Sequence, residues 1–129
     1  MFSPLLESVI EREKMPVVDE AALEAFCAEN DMVALLVAGD YKRVSTVNDL
    51  AVILPELVKE FKGAFAPCVA SRDQEALFQG KYGFVLLPTL VFLKGNEVLG
   101  TLSGVHDWTD FISQIKEIIT PAKKTDAAE

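Results

Sequence analysis

The sequence predicts an α/β sandwich built around a mixed β-sheet. Three observations carry that prediction. Two apolar runs of strand length, residues 32–38 and 64–70, alternate with segments whose apolar residues recur at helical spacing. Near the C-terminus, two β-rich runs flank Lys94-Gly95-Asn96, the signature of a tight hairpin and so of antiparallel pairing. One more amphipathic helix follows the hairpin. After a first helix the predicted order is βαβαβαββα, which layers helices against a sheet.

Taken in chain order, Leu5, Leu6, Val9 and Ile10 fall on one face of a helix over residues 4–14, which Pro16 ends. Val17-Val18 is a short edge strand. Asp19 caps a second helix that buries Leu23, Phe26 and Cys27. The continuous apolar run 32–38 suits a central strand covered on both faces. Residues 39–46 are polar and form a loop. Leu50, Ile53, Leu54, Leu57, Val58 and Phe61 then mark a helix over 47–62. Pro55 should kink it near Ala51, and Gly63 stops it. Residues 64–70 form another buried strand and 73–80 a short helix. Asp107 caps the last helix, with Trp108, Phe111, Ile112, Ile115, Ile118 and Ile119 as its buried stripe. The spacing makes residues 1–121 a single domain and 122–129 a flexible tail.

With 129 residues and half of them hydrophobic, the chain can bury a full core. No apolar run approaches the roughly 18–20 residues that span a bilayer, and the acidic start lacks a basic leader. The expected compartment is the cytoplasm, with no membrane insertion. A net charge of −8 argues against nucleic acid as a partner. Residues 1–31 hold eight acids against Arg12 and Lys14, a surface that either solubilises the chain or attracts a basic ligand. Cys27 and Cys68 lie 41 positions apart among apolar neighbours. They read as buried structural thiols rather than a redox pair. With a single His, no zinc-ligand spacing exists, and no cofactor is expected.

The stretch from Lys81 to Val98 carries a specific combination. Tyr82-Gly83, an apolar residue before Pro88-Thr89, an apolar strand and Lys94-Gly95-Asn96-Glu97 follow one another. This resembles the segment of thioredoxins that leads into their cis-proline and hairpin. The resemblance implies a thioredoxin-like three-layer sandwich and a cis Leu87–Pro88 bond. It fails at the redox site. The positions that open the long helix, Val44-Ser45-Thr46-Val47, contain no cysteine. Dithiol exchange needs a low-pKa thiolate and a second, resolving thiol, so that chemistry is excluded by residue type. Ser45 and Thr46 read as helix caps instead.

A narrower likeness runs through Leu36, Asp40, Lys42-Arg43, Val47, Asp49, Val52, Glu56-Leu57 and Glu60-Phe61. It resumes at Tyr82-Gly83, Pro88, Thr89 to Phe92, Gly95-Asn96 and Gly104-Val105-His106 with Trp108. Over residues 32–121 these resemble the HyaE/HupG (HoxO) family of hydrogenase accessory proteins. The first 31 residues match only loosely, and Asp107 stands where a proline is expected. The resemblance implies a non-enzymatic chaperone in the maturation of membrane-bound or periplasmic [NiFe] hydrogenase. Its implied partner is the iron–sulfur small-subunit precursor with its twin-arginine signal peptide, held until export. Other hydrogenase accessory proteins are further candidate partners.

Such a leader is basic at one end and apolar beyond, so its receptor needs carboxylates and an apolar surface. The candidate partner-binding residues are Asp40, Lys42, Arg43, Asp49, Glu56 and Pro88. Each also has a plainer reading. Asp40 can cap a turn, Lys42 and Arg43 can form a solvated pair, and Glu56 can solvate a helix face. Asp49 can answer the helix dipole. His106 and Trp108 read as packing residues. Two further functions stay open from sequence: a single-thiol redox protein using Cys27 or Cys68, and a structural or scaffold module.

Overall fold

The structure is a computed structural model that describes residues 2–44, 46–95 and 97–120. The predicted tail 122–129, the Ser45 cap and the Asn96 turn position lie outside those residues. Helix α1 spans Pro4–Glu13, strand β1 Val17–Val18, helix α2 Glu20–Glu29, strand β2 Val33–Val37 and helix α3 Val47–Glu60. Strand β3 spans Ala66–Ala70, a 3-10 turn Arg72–Gln74, helix α4 Glu75–Tyr82, strand β4 Thr89–Lys94, strand β5 Glu97–Ser103 and helix α5 Trp108–Ile119. The order matches the one expected from spacing.

The five strands lie in the order β1-β3-β2-β4-β5. β1, β3 and β2 run parallel, while β4 is antiparallel to β2 and β5 to β4. β2 is buried at every position because helices cover both faces of the sheet. Its alternate residues divide between two cores. Ala34 and Leu36 join Leu6, Val9, Leu50, Leu54, Leu57, Phe111 and Ile115, beneath α1, α3 and α5. Val33, Leu35 and Val37 join Leu23, Cys27, Cys68 and Phe78, beneath α2 and α4. The result is the expected three-layer sandwich.

Local chemistry sets the ends of the elements. Ser3 caps α1 by accepting the Leu6 amide at 3.0 Å, and Asp19 caps α2 by accepting that of Ala22 at 2.8 Å. Lys94 faces Glu97 across the hairpin, and Gly95 takes the positive φ of +62° that such a turn requires. α3 continues as one helix through Pro55, which is buried. β3 begins at Ala66 rather than Ala64. Lys62 and Gly63, both at positive φ, complete the reversal after α3, and Phe65 enters the core under that helix before the strand starts. Among the described residues no helix is long and apolar enough to cross a membrane.

Candidate functional site

The candidate site lies where β2 ends and β4 begins. Parallel crossover from β2 into α3 leaves residues 38–44 at this end of the sheet, next to the segment entering β4. The Leu87–Pro88 peptide bond is cis, as the resemblance implied. Pro88 is buried, and its carbonyl accepts the Gly104 amide at 2.8 Å. The Thr89 hydroxyl lies 2.6 Å from the Leu86 carbonyl, which it bonds as donor, and 2.7 Å from Ser103 Oγ.

Gly39 joins the two loops. It has φ +88°, and a Cβ added to it would lie 3.0 Å from Leu87 Cβ. Its amide donates to Glu75 Oε2 at 3.1 Å, and Glu75 Oε1 accepts from Arg72 Nη1. Glu75 is the one buried carboxylate among the described residues. Both of its oxygens are satisfied, as a buried charge requires. Sequence reasoning passed over Glu75 and Arg72. The only available signal was their spacing of three at the start of a helix, since Gly39 lies 36 positions away.

The six candidate residues do not form one cluster. Asp40 turns the chain: its carbonyl accepts the amides of Arg43 and Val44, and its Oδ1 accepts the Lys42 amide at 3.0 Å. Its Oδ2 lies 3.8 Å from Arg43 Nε. The plainer readings of Asp40 and Arg43 are thus satisfied in the structure, and the Lys42 side chain is exposed beside them. Asp49 is exposed in the first turn of α3, close in sequence to the loop. Glu56 lies seven residues further on the same helix face, about 10 Å along the axis, and sits 3.5 Å from Lys59 Nζ. Asp40 and Pro88 are therefore brought to one end of the sheet with Asp49 nearby, while Glu56 stands apart.

Three expectations are corrected here. Trp108 does not join the core; it is 42 % exposed and lines a groove of about 550 Å³ with Glu60, Ile112 and Lys116. The buried stripe of α5 starts one turn later, at Phe111 and Ile115. Thr46 and Asp107 occupy N-cap positions, yet neither side chain makes a cap hydrogen bond. At α5 His106 braces the entry instead, lying 3.0 Å from both Asp110 Oδ2 and the Ser103 carbonyl, with its ring edge against Phe111.

Sequence reasoning also missed Val85 and Leu86, the most exposed large apolar side chains among the described residues. Their signal was an apolar run, Phe84 to Leu87, bounded by Gly83 and Pro88.

The thiols lie in the core beneath α2 and α4. Cys27 and Cys68 are free and buried. Desolvation raises both thiol pKa values, strongly for Cys68. A thiol held protonated is a poor nucleophile. Among the described residues no group of three or more His, Cys, Asp or Glu could hold a metal ion.

Comparison with known proteins agrees with the geometry. The profile of the family described as Hydrogenase-1 expression protein HyaE matches residues 5–111, which takes in α1 as well as the region from residue 32 and ends within α5. The hydrogenase expression/formation protein HoxO of Azotobacter vinelandii is 39 % identical over 92 % of this chain and 80 % of its own length. HupG of Rhizobium leguminosarum bv. viciae is 32 % identical over 94 % of this chain and 84 % of its own. A crystal structure of a hydrogenase expression/formation protein HupG from Rhodopseudomonas palustris superposes with a TM-score of 0.60 at 28 % identity, covering 84 % of this chain and 97 % of that one. Fasciola hepatica thioredoxin, at 20 % identity and a TM-score of 0.65, covers 80 % of this chain and 97 % of its own and shares the fold. The chain belongs to the HyaE family of hydrogenase expression/formation accessory proteins.

Proposed function

We propose that the protein binds the iron–sulfur small-subunit precursor of a [NiFe] hydrogenase, through its twin-arginine leader, in the cytoplasm before export and without redox chemistry. One observation carries this reading. The cis-proline loop and the acid-bearing loop 39–44 abut, while the helix start that would carry a dithiol holds Val44, Thr46 and Val47. A surface suited to an extended peptide is kept and the thiols are gone, which fits capture without exchange. The family membership supports a client within hydrogenase formation. The burial of both thiols speaks against single-thiol chemistry.

The test is calorimetric titration of the full chain with a small-subunit precursor, with and without its leader. Stoichiometric, salt-sensitive binding that requires the leader supports the proposal. Equal binding to both forms moves the contact to the mature subunit. Absence of binding to either form overturns it.

A further inference from the structure

We infer that Val85 and Leu86 form the seat for the apolar stretch of the leader and thereby decide which leaders bind. The inference rests on the leader-binding reading above and assigns part of it to two residues that reading does not use.

Val85 is 85 % exposed and Leu86 64 %. Their backbone is pinned. Gln79 Nε2 donates to the Val85 carbonyl at 2.9 Å, and the Thr89 hydroxyl to the Leu86 carbonyl. On either side Phe84 is buried and Leu87 packs against the core under α2 and α4. With its neighbours anchored, the pair cannot turn inward. The fold therefore holds two adjacent apolar side chains in water on a fixed backbone. Such a surface loses little conformational freedom when it is covered, which favours binding.

The surroundings select the ligand. No charged side chain occurs from Tyr82 to Thr89. Val105, 40 % exposed, follows Gly104, whose amide donates to the Pro88 carbonyl. Asp40 lies one residue from Gly39, which touches Leu87 on the other side. Lys42 and Arg43 offset Asp40 there, so it is the net charge of −8 and the exposed Asp49 at the start of α3 that favour a ligand with a basic end beside its apolar stretch. The two side chains expose on the order of 250 Å², so pairing two copies would bury about half of the roughly 1,000 Å² a stable interface needs. Two chains of net charge −8 also repel. A narrow, extended peptide fits the area better than a second copy does.

The experiment compares the wild-type chain with a Val85→Ser, Leu86→Ser double variant. The probe is a synthetic leader peptide with an arginine pair followed by an apolar stretch. A second peptide has the leucines of that stretch replaced by serine, and a third has the arginines replaced by glutamine. Circular dichroism of the double variant should match wild type, since both positions are exposed. The double variant should bind the first peptide about 10- to 100-fold more weakly than wild type does. The serine peptide should cost wild type a similar factor and the double variant nothing further, whereas the glutamine peptide should weaken both proteins equally. Wild-type affinity in the double variant overturns the inference and leaves leader binding standing. If the wild-type chain binds no leader peptide, leader binding falls and takes the inference with it.

Discussion

Replacing Gly39 by alanine tests whether the loop 39–44 and the cis-proline loop abut. The structure separates two costs. At φ +88° an L-residue is strained by about 1–2 kcal/mol. The new Cβ would also lie 3.0 Å from Leu87 Cβ and 3.3 Å from its Cδ1, inside the ~3.5–4.0 Å of ordinary carbon contact. Leu87 has little room to yield, because it packs against the α2/α4 core. A small overpacking term of about 1–2 kcal/mol follows, for a total loss of about 2–4 kcal/mol. Gly63 supplies the control. It has φ +75° with no atom within 4 Å of an added Cβ, so Gly63→Ala carries only the backbone strain. Urea unfolding of both variants at a common m-value measures the difference. Gly39→Ala should be less stable than Gly63→Ala by about 1–2 kcal/mol, and it alone should weaken leader binding. Equal losses would refute the contact between the two loops.

Other perturbations probe the thiols, the helix packing and the acids. Burial raises the Cys68 pKa, so the unfolded chain releases that proton first as pH rises through about 8.5–9. Stability should therefore be intact below that range and fall by about 1 kcal/mol between pH 8.5 and 9.5 on account of Cys68. Denaturant midpoints of Cys68→Ala, which lacks this contribution, should show a flatter alkaline limb, and an unchanged limb would refute the assignment. Gly100 in β5 faces α5 so closely that a Cβ would meet Ile118 Cγ1 at 2.9 Å. Gly100→Ala should cost about 1–3 kcal/mol in urea unfolding, and much less on an Ile118→Ala background, which removes the γ and δ carbons that the new Cβ meets; additive losses would refute the contact. Asp40 already faces Arg43 and caps its own turn, whereas Asp49 makes no ion pair with another described residue. Asp49→Asn should weaken leader binding about 3- to 10-fold with little change in stability, and Asp40→Asn should weaken it less while costing about 1 kcal/mol. Calorimetry paired with unfolding checks the order, and the reverse order would count against Asp49 as a contact.

Burial patterns were legible in the sequence because they repeat. The run 32–38 had to be a central strand, since it offers no polar face, and β2 is buried throughout. The apolar steps in α3 place Leu50, Leu54 and Leu57 in the core as their spacing requires. The stripe of α5 shows where periodicity stops helping. Trp108 stands three residues before Phe111 and belongs to the same helical face, but it is in the first turn, where the stripe reaches the rim of the core and opens into the groove beside Glu60. Periodicity assigns a face to a residue; it does not say how far along the helix the neighbouring layer extends.

The site was harder to read for a related reason. An acid's availability depends on which bases and amides the fold has already brought to it. Asp40 looks free in sequence, yet Lys42, Arg43 and Val44 fold back on it: their amides take its carbonyl and Oδ1, and the Arg43 guanidinium faces Oδ2. Glu75 looks like one more surface acid at a helix start, yet it is buried, and its partners are Arg72, a local neighbour, and Gly39, a distant one. Val85 and Leu86 invert the problem. They sit inside an apolar run that would suggest core, and they reach water because Gln79 and Thr89 hold the carbonyls of their backbone while Phe84 and Leu87 take the places in the interior. In all three cases the deciding information is a pairing between side chain and backbone, local for Asp40 and for the Val85–Leu86 pair and distant in sequence for Glu75 with Gly39. The acids most apparent in the sequence are thus partly spent on the fold itself, and the apolar pair left in solvent is the stronger candidate for the work of recognition.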